Sequence, residues 1–175
     1  MRCYLIFVFI VTLEAYMIAN HPQPNVEDSC HDNGGNLGPD NRCYGFYQSD
    51  EFDGSTWKQA QDFCRQQGGD MATIKNAFVN AFLYNFLANN TSPFLWGNQD
   101  AWIGLIANIT NTTCSWVWTD GSRPSYTNWE NLNPTNKCYF NNTVVGDQAA
   151  YMNYEDGKWS FGSAMGQAEF FFCAF

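Results

Sequence analysis

The stretch TWKQAQDFCRQQGG, Thr56 to Gly69, carries both ends of a helix. Thr56 followed three residues later by Gln59 fits a capping box, in which each side chain satisfies a backbone N–H of the other. Gly68-Gly69 stops the chain. Trp57, Ala60, Phe63 and Cys64 fall on one face at helical spacing, so this helix packs on something through a cysteine-bearing apolar stripe.

Working outward, Tyr44–Tyr47 upstream reads as a strand. Before it, Cys30 and Cys43 enclose a run dense in turn formers, which a bridge between them would close like a hairpin. Downstream, Asp70–Ile74 is a short linker. A second helix is expected over Asn76–Ala88, with a broad stripe of Phe78, Val79, Phe82, Leu83, Phe86 and Leu87. Beyond Pro93 the pattern changes to strands at Ala101–Leu105 and Ser115–Thr119, followed by an Asp120-Gly121 turn. Pro124–Val145 is a long loop, of the kind that is functional or irregular but ordered. Ala149–Met152, Lys158–Ser160 and Phe170–Cys173 close the chain as short strands. The order of strand, two helices and then strands defines an α+β domain.

Residues 1–19 have the layout of a secretory signal: Arg2, an apolar run from Cys3 to Leu13 broken only by Thr12, then small Ala15 and Ala19. That run is too short to span a membrane, and no later segment is apolar enough. Residues 20–29 read as a polar leader and 30–175 as one compact domain. Removal of Cys3 leaves Cys30, Cys43, Cys64, Cys114, Cys138 and Cys173, an even set that reads as three disulfides in an oxidising compartment. No odd cysteine remains for a disulfide-linked oligomer. Sequons at Asn89, Asn90, Asn108, Asn111 and Asn141 agree with export; Asn89 and Asn90 overlap, so one of the two is expected to be used. The formal charge of −9, with basic residues scattered singly, disfavours nucleic acid and anionic membranes. Aromatic residues make up 18% of the chain, which calls for a core or a binding face rich in rings.

Several marks in order resemble the C-type lectin-like domain. Trp57, Ala60, Cys64, Gly69, Met71, Ile74 and Phe78 fit its two-helix part, and Trp102-Ile103-Gly104-Leu105 is its WIGL strand. Trp118-Thr119-Asp120-Gly121, Tyr126-Thr127-Asn128-Trp129, Gly157-Lys158-Trp159 and Phe172-Cys173 follow in sequence, so the resemblance covers Cys30 to Cys173. It implies two helices with short antiparallel sheets and a long irregular loop, and the pairs Cys64–Cys173 and Cys30–Cys43. It also implies a further bridge, but the positions that would form it fall near Ala149 and Ala164. Cys114 and Cys138 are left over and are expected to pair, stapling the far end of the long loop.

Sugar-binding members hold one calcium in that loop. Its ligands are a Glu-Pro-Asn or Gln-Pro-Asp triplet, a further acid, and an Asn-Asp pair after the Lys-Trp tryptophan. Calcium takes about 6–8 oxygens, with carboxylate among them. Here the triplet is Asn133-Pro134-Thr135, the pair is Ser160-Phe161, and Asp147 is the available acid. These positions are a degenerate calcium set, and no metal or other cofactor is expected. The candidate ligand contacts are Tyr126, Asn128, Glu130, Asn131, Asn133, Asn136, Tyr139 and Asp147. Trp102, Trp118, Trp129 and Trp159 are read as core; Trp96 and Trp116 are freer.

The resemblance implies a binding module for glycan or an extracellular protein, like the soluble single-domain forms of invertebrates and nematodes, with a role in innate defence. A protein-recognition module without sugar binding and a matrix component are the alternatives. Catalysis is not expected. His21 lies in the leader, His31 adjoins Cys30, and Glu155-Asp156 precedes a hairpin glycine, so no nucleophile–base set or paired carboxylates in a cleft is legible.

Overall fold

A computed structural model of the protein describes residues 27, 30–31, 34–49, 54–91, 99–109, 114–130, 139–140, 143–144 and 147–175. The elements run β1 (Asn36–Leu37), β2 (Cys43–Gln48), α1 (Trp57–Gln66), β3 (Asp70–Met71), α2 (Ala77–Asn90), β4 (Ala101–Ile109), β5 (Cys114–Trp118), β6 (Tyr139–Phe140), β7 (Thr143–Val144), β8 (Gln148–Met152), β9 (Trp159–Ser163) and β10 (Phe170–Ala174). The main sheet has the order β1-β2-β10-β4-β8-β9, with β3 added to β10 and β5 to β4; β6 and β7 form a separate pair. The α+β reading holds. Several details differ from it: β1 stands in the stretch expected as turns, and β6 and β7 stand within the expected long loop. Asp70-Met71, expected as linker, is a strand paired with Cys173 and Ala174. And β10 meets β4 in parallel, Phe170 opposite Ala101 and Phe171 opposite Trp102.

Both helices start where expected, and α2 runs to Asn90, two residues past the expected Ala88. The Thr56 hydroxyl accepts from the Gln59 amide, and the Gln59 side chain accepts from the Thr56 N–H, which completes the capping box. Asn76 caps α2 through the Val79 amide at 2.9 Å. The α2 stripe is narrower than the sequence implies: Val79, Leu83 and Leu87 are buried, Phe82 and Phe86 are half-buried, and Phe78 is 77% exposed. A helix on a sheet buries only the arc that faces it, and six large residues overfill that arc.

Two clusters pack on opposite faces of the sheet. One holds α2 with Ile103, Leu105, Trp118, Met152, Trp159 and Phe172. The other holds α1 with Met71, Trp102, Phe171 and Cys173. Strand β10 supplies both by alternation, which is why it reads FFFCA without a polar position. Cys64–Cys173 links α1 to this strand across 109 residues of sequence. The chain-entropy estimate for so long a loop is roughly 4–5 kcal/mol. Cys30–Cys43 is also formed. Cys114 is disulfide-bonded, and its partner lies outside the described residues, as Cys138 does. Ala149 and Ala164 are both buried in the α1-side cluster, so apolar packing stands where the family's further bridge was expected.

Indole bonds lock α1 onto β4. Trp57 Nε1 donates to the Ile103 carbonyl and Trp102 Nε1 to the Ser55 carbonyl, each at 2.8 Å. Between them Gly104 brings its backbone against β3: its N–H donates to Ala72 O at 2.8 Å, and a Cβ there would stand 2.8 Å from the carbonyl oxygens of Met71 and Ala72. Gly104→Ala therefore forces two strands apart. It is expected to cost about 1–3 kcal/mol, the range for overpacking a core, measured by urea denaturation.

Candidate functional site

The long loop leaves β5 and returns beside β9, and Trp159 is where it is fastened. The Trp159 N–H donates to Asn128 O at 2.7 Å, and its carbonyl accepts from the Glu130 N–H at 2.9 Å. Its indole Nε1 donates to Asn80 Oδ1 at 2.6 Å, and Asn80 Nδ2 donates in turn to Gly157 O at 3.1 Å. Asn80, the buried one of the asparagines in α2, is thus the link from that helix to the loop. Gly157 sits at φ 69°, and a Cβ on it would stand 2.6 Å from the Tyr84 ring, so the turn requires glycine.

Around this anchor the rings form a face. Trp118, Tyr126 and Trp129 stand edge-on to Trp159 at 5.6, 5.6 and 5.7 Å. Trp116 lies 5.1 Å from Trp129 and 5.5 Å from Phe161. Trp116 and Trp118 alternate along β5, as Trp159 and Phe161 do along β9, so each pair shares one side of the sheet. Trp116, read from sequence as freer, is buried at 8% exposure: the period-two spacing in CSWVW commits it to the side of Trp118. Phe161, weighed only as a failed calcium ligand, belongs to this face too, and its two-residue step from Trp159 is the signal that marks it.

The other candidates divide as follows. Tyr126 is half-buried against Trp159. The Asn128 amide nitrogen is engaged with Gly157 O at 3.0 Å, so that end of the side chain holds the loop. Glu130 and Asp147 are exposed, and Ser160 is half-buried. Tyr139 lies in β6. Asn131, Asn133, Thr135 and Asn136 lie outside the described residues. Of the sequons, Asn90 is exposed with its amide donating to Phe86 O at 2.8 Å, and Asn108 is exposed on β4. Asn111 and Asn141 lie outside the described residues.

Calcium does not fit what stands at Trp159. The following residue is a half-buried serine, and the one after it is a phenylalanine packed against Trp116 and Trp129, where oxygen ligands are needed. Among the described residues no group of three or more His, Cys, Asp or Glu is placed to hold a metal.

A sheet with a helix on each face, the α1–β10 bridge and a long loop pinned beside the Lys-Trp strand define a lectin-like binding domain. Residues 53–171 match the Lectin C-type domain, and the chain belongs to that family. "C-type lectin 1" of Hydrophis hardwickii is 32% identical over 108 residues, 59% of this chain and 60% of that one, so the match spans less than two thirds of the relative's length. Among solved structures, C-type lectin CEL-I of Cucumaria echinata aligns with a TM-score of 0.59 and 24% identity, covering 76% of this chain and 89% of its own. A calcium-independent type II antifreeze protein aligns with a TM-score of 0.52 and 22% identity, covering 77% and 85%. Both structural likenesses concern the fold.

Two outcomes follow from the site's chemistry. Asn80→Leu leaves the Trp159 indole N–H buried without a partner, at an expected cost of about 1–3 kcal/mol, and hydrogen exchange at the Glu130 amide should speed up with it. The second concerns Asp100, which is 9% exposed at the start of β4. Burial pushes its carboxyl up to about 6; the Tyr154 N–H bond opposes this, and the charges of Glu130 and Glu155 add to it. Folded Asp100 holds its proton more tightly than the unfolded chain. Its contribution to stability is therefore full below about pH 4 and is lost as pH rises through about 6. Burial also pushes Asp120 up, but bonds from Lys75 and Ser122 outweigh it and hold that carboxyl near 2, so its contribution is lost only below about pH 4. Asp100→Asn should flatten the pH dependence of Tm between pH 4 and 7 and raise Tm at pH 7.

Proposed function

We propose that this chain is a secreted recognition module for carbohydrate or glycoprotein that works without calcium. The observation that carries this reading is the ring face itself. Trp129 and Phe161 are half-buried and so partly open, and Phe161 takes a position that the family resemblance gives to a calcium ligand. Flat rings stack on the apolar faces of sugars, and the family is one of binding domains. The calcium-independent antifreeze protein supports the point that this fold can stand without that ion. Export is supported by the signal-like residues 1–19, the disulfides and the sequons, and by the absence of a membrane-spanning helix among the described residues. On this reading residues 20–29 are a leader and 30–175 the domain, Cys138 is the partner of Cys114, and Asn90, Asn108, Asn111 and Asn141 carry glycans. A place in innate defence is the biological extension.

The test is a glycan array probed once with calcium and once with chelator. The same glycans should bind in both arms. Phe161→Leu, which keeps apolar volume but removes the ring, should weaken binding roughly 3- to 10-fold, the order of one aromatic contact, with little change in Tm. Binding abolished by chelator overturns the calcium-independent reading. Silence in both arms overturns the carbohydrate reading and leaves recognition of a protein partner, which a face of tryptophan and tyrosine also serves.

A further inference from the structure

Helix α2 reads AFVNAFLYNFLANN and carries no charged residue over its 14 positions. A surface helix turns a charged or polar face to water, and one that is apolar all round is covered all round. Here one arc is covered. Val79, Asn80, Leu83 and Leu87 are buried, while Ala77, Phe78, Ala81, Asn85 and Ala88 are exposed, Phe78 at 77%.

That outer face has a shape. Phe78, Phe82 and Phe86 form a ridge at a spacing of four, and Phe82 stands edge-on to Phe86 at 5.1 Å. Tyr44 lies 6.0 Å from Phe82, so the ridge is braced from the sheet. Beside it Ala77, Ala81 and Asn85 form a parallel row of small side chains. Ridges and grooves at this spacing interlock when two helices cross at about −50°, the commonest class of helix packing. One helix thus supplies both a ridge and a groove, as a self-complementary two-fold contact requires.

Charge favours the same occupant. A chain of net charge −9 repels its own copies, and a helix without charge is where that repulsion is least. Lys75, just before the helix, is engaged by Asp120 at 2.8 Å. A charged partner would find nothing to pair with on α2. A membrane-surface helix carries Lys and Arg along its polar face, and α2 has neither. Asn90 follows Ala81 by about two and a half turns, so a glycan on it would point away from this face.

We infer that α2 is the contact of a noncovalent two-fold homodimer of this chain, antiparallel, with Ala81 near the axis and Phe78 of each copy against Asn85 and Phe86 of the other. The strip is one helix long, about 21 Å at 1.5 Å per residue. It belongs to the small, weak class of interfaces, with association of the order of micromolar to millimolar. Two copies carry two ring faces, and a ligand with repeated units would gain avidity without any new contact. The dimer itself does not rest on the carbohydrate reading, and its test uses no ligand.

The experiment is sedimentation of the full secreted protein from about 1 μM to about 1 mM, the span of that weak class. The mass should climb from one chain toward two. Phe78→Glu on the ridge and Ala81→Glu in the groove should each weaken association at least tenfold, because two copies then bring like charges into an apolar contact. Both sites are exposed, so Tm of the dilute protein should not move. Ala81→Cys should cross-link to a covalent dimer on mild oxidation, and Gln66→Cys, exposed on α1 across the sheet, should not. A mass of one chain at every concentration overturns the inference. So does association that survives both glutamate variants, a mass that climbs past two chains, or equal cross-linking through Gln66→Cys.

Discussion

Trp159 is the interaction on which the ligand end of this molecule depends. It is fully buried, and all three of its hydrogen-bonding groups are used: two backbone bonds hold the returning loop at Asn128 and Glu130, and the indole holds helix α2 through Asn80. Three rings pack edge-on to it. A side chain so used has no freedom left for ligand. Its work is to turn a loop segment with little regular hydrogen bonding of its own into a fixed support for Trp129. Rigid elements hold a site better than loops do, and here one tryptophan lends the rigidity of the sheet to residues 126–130.

The sheet it belongs to is stiff because it is buried on both faces. Strand β10 packs Phe170, Phe172 and Ala174 under α2, and Phe171 and Cys173 under α1. Substitution there is felt by both cores at once. Indole bonds from Trp57 of α1 to β4, and from Trp102 of β4 to Ser55 just before α1, add direction to that packing, since each fixes the rotation of a large side chain against a backbone carbonyl. Against this background Ala149 and Ala164 are intelligible. A region closed by Trp57, Trp102 and Phe171 is already well packed, and two methyl groups complete it without a covalent link.

Much of this was legible in the sequence for physical reasons. Capping signals act locally, so Thr56 and Gln59 marked the start of the first helix. The glycine of WIGL is required because β4 passes within a Cβ of β3, and Cys64 and Cys173 followed from the family resemblance once its marks were read in order. What escaped was non-local. Asp70-Met71 is too short to show a period, and only its pairing with β10 makes it a strand. The burial of Asn80 depends on Trp159, seventy-nine residues away. Trp116 and Phe161 were missed for a different reason. Their alternation with Trp118 and Trp159 was available, but a comparison with calcium ligands asks what a position lacks, and both residues matter for what they bring.

The ring face is also notable for what surrounds it on a chain of charge −9. The acids that are paired sit elsewhere: Asp62 with Lys58, Asp70 with Arg65, Asp120 with Lys75 and Asp156 with Lys158. The rings themselves carry no charge, while the exposed acids Glu130 and Asp147 flank them in the chain. On the proposed reading, selection would come from shape and from apolar area against the rings. Those are the terms on which a neutral polyol is told from an ion. They also differ in kind from coordination to calcium, where two hydroxyls complete a metal shell and the protein's own side chains are mainly ligands to the ion.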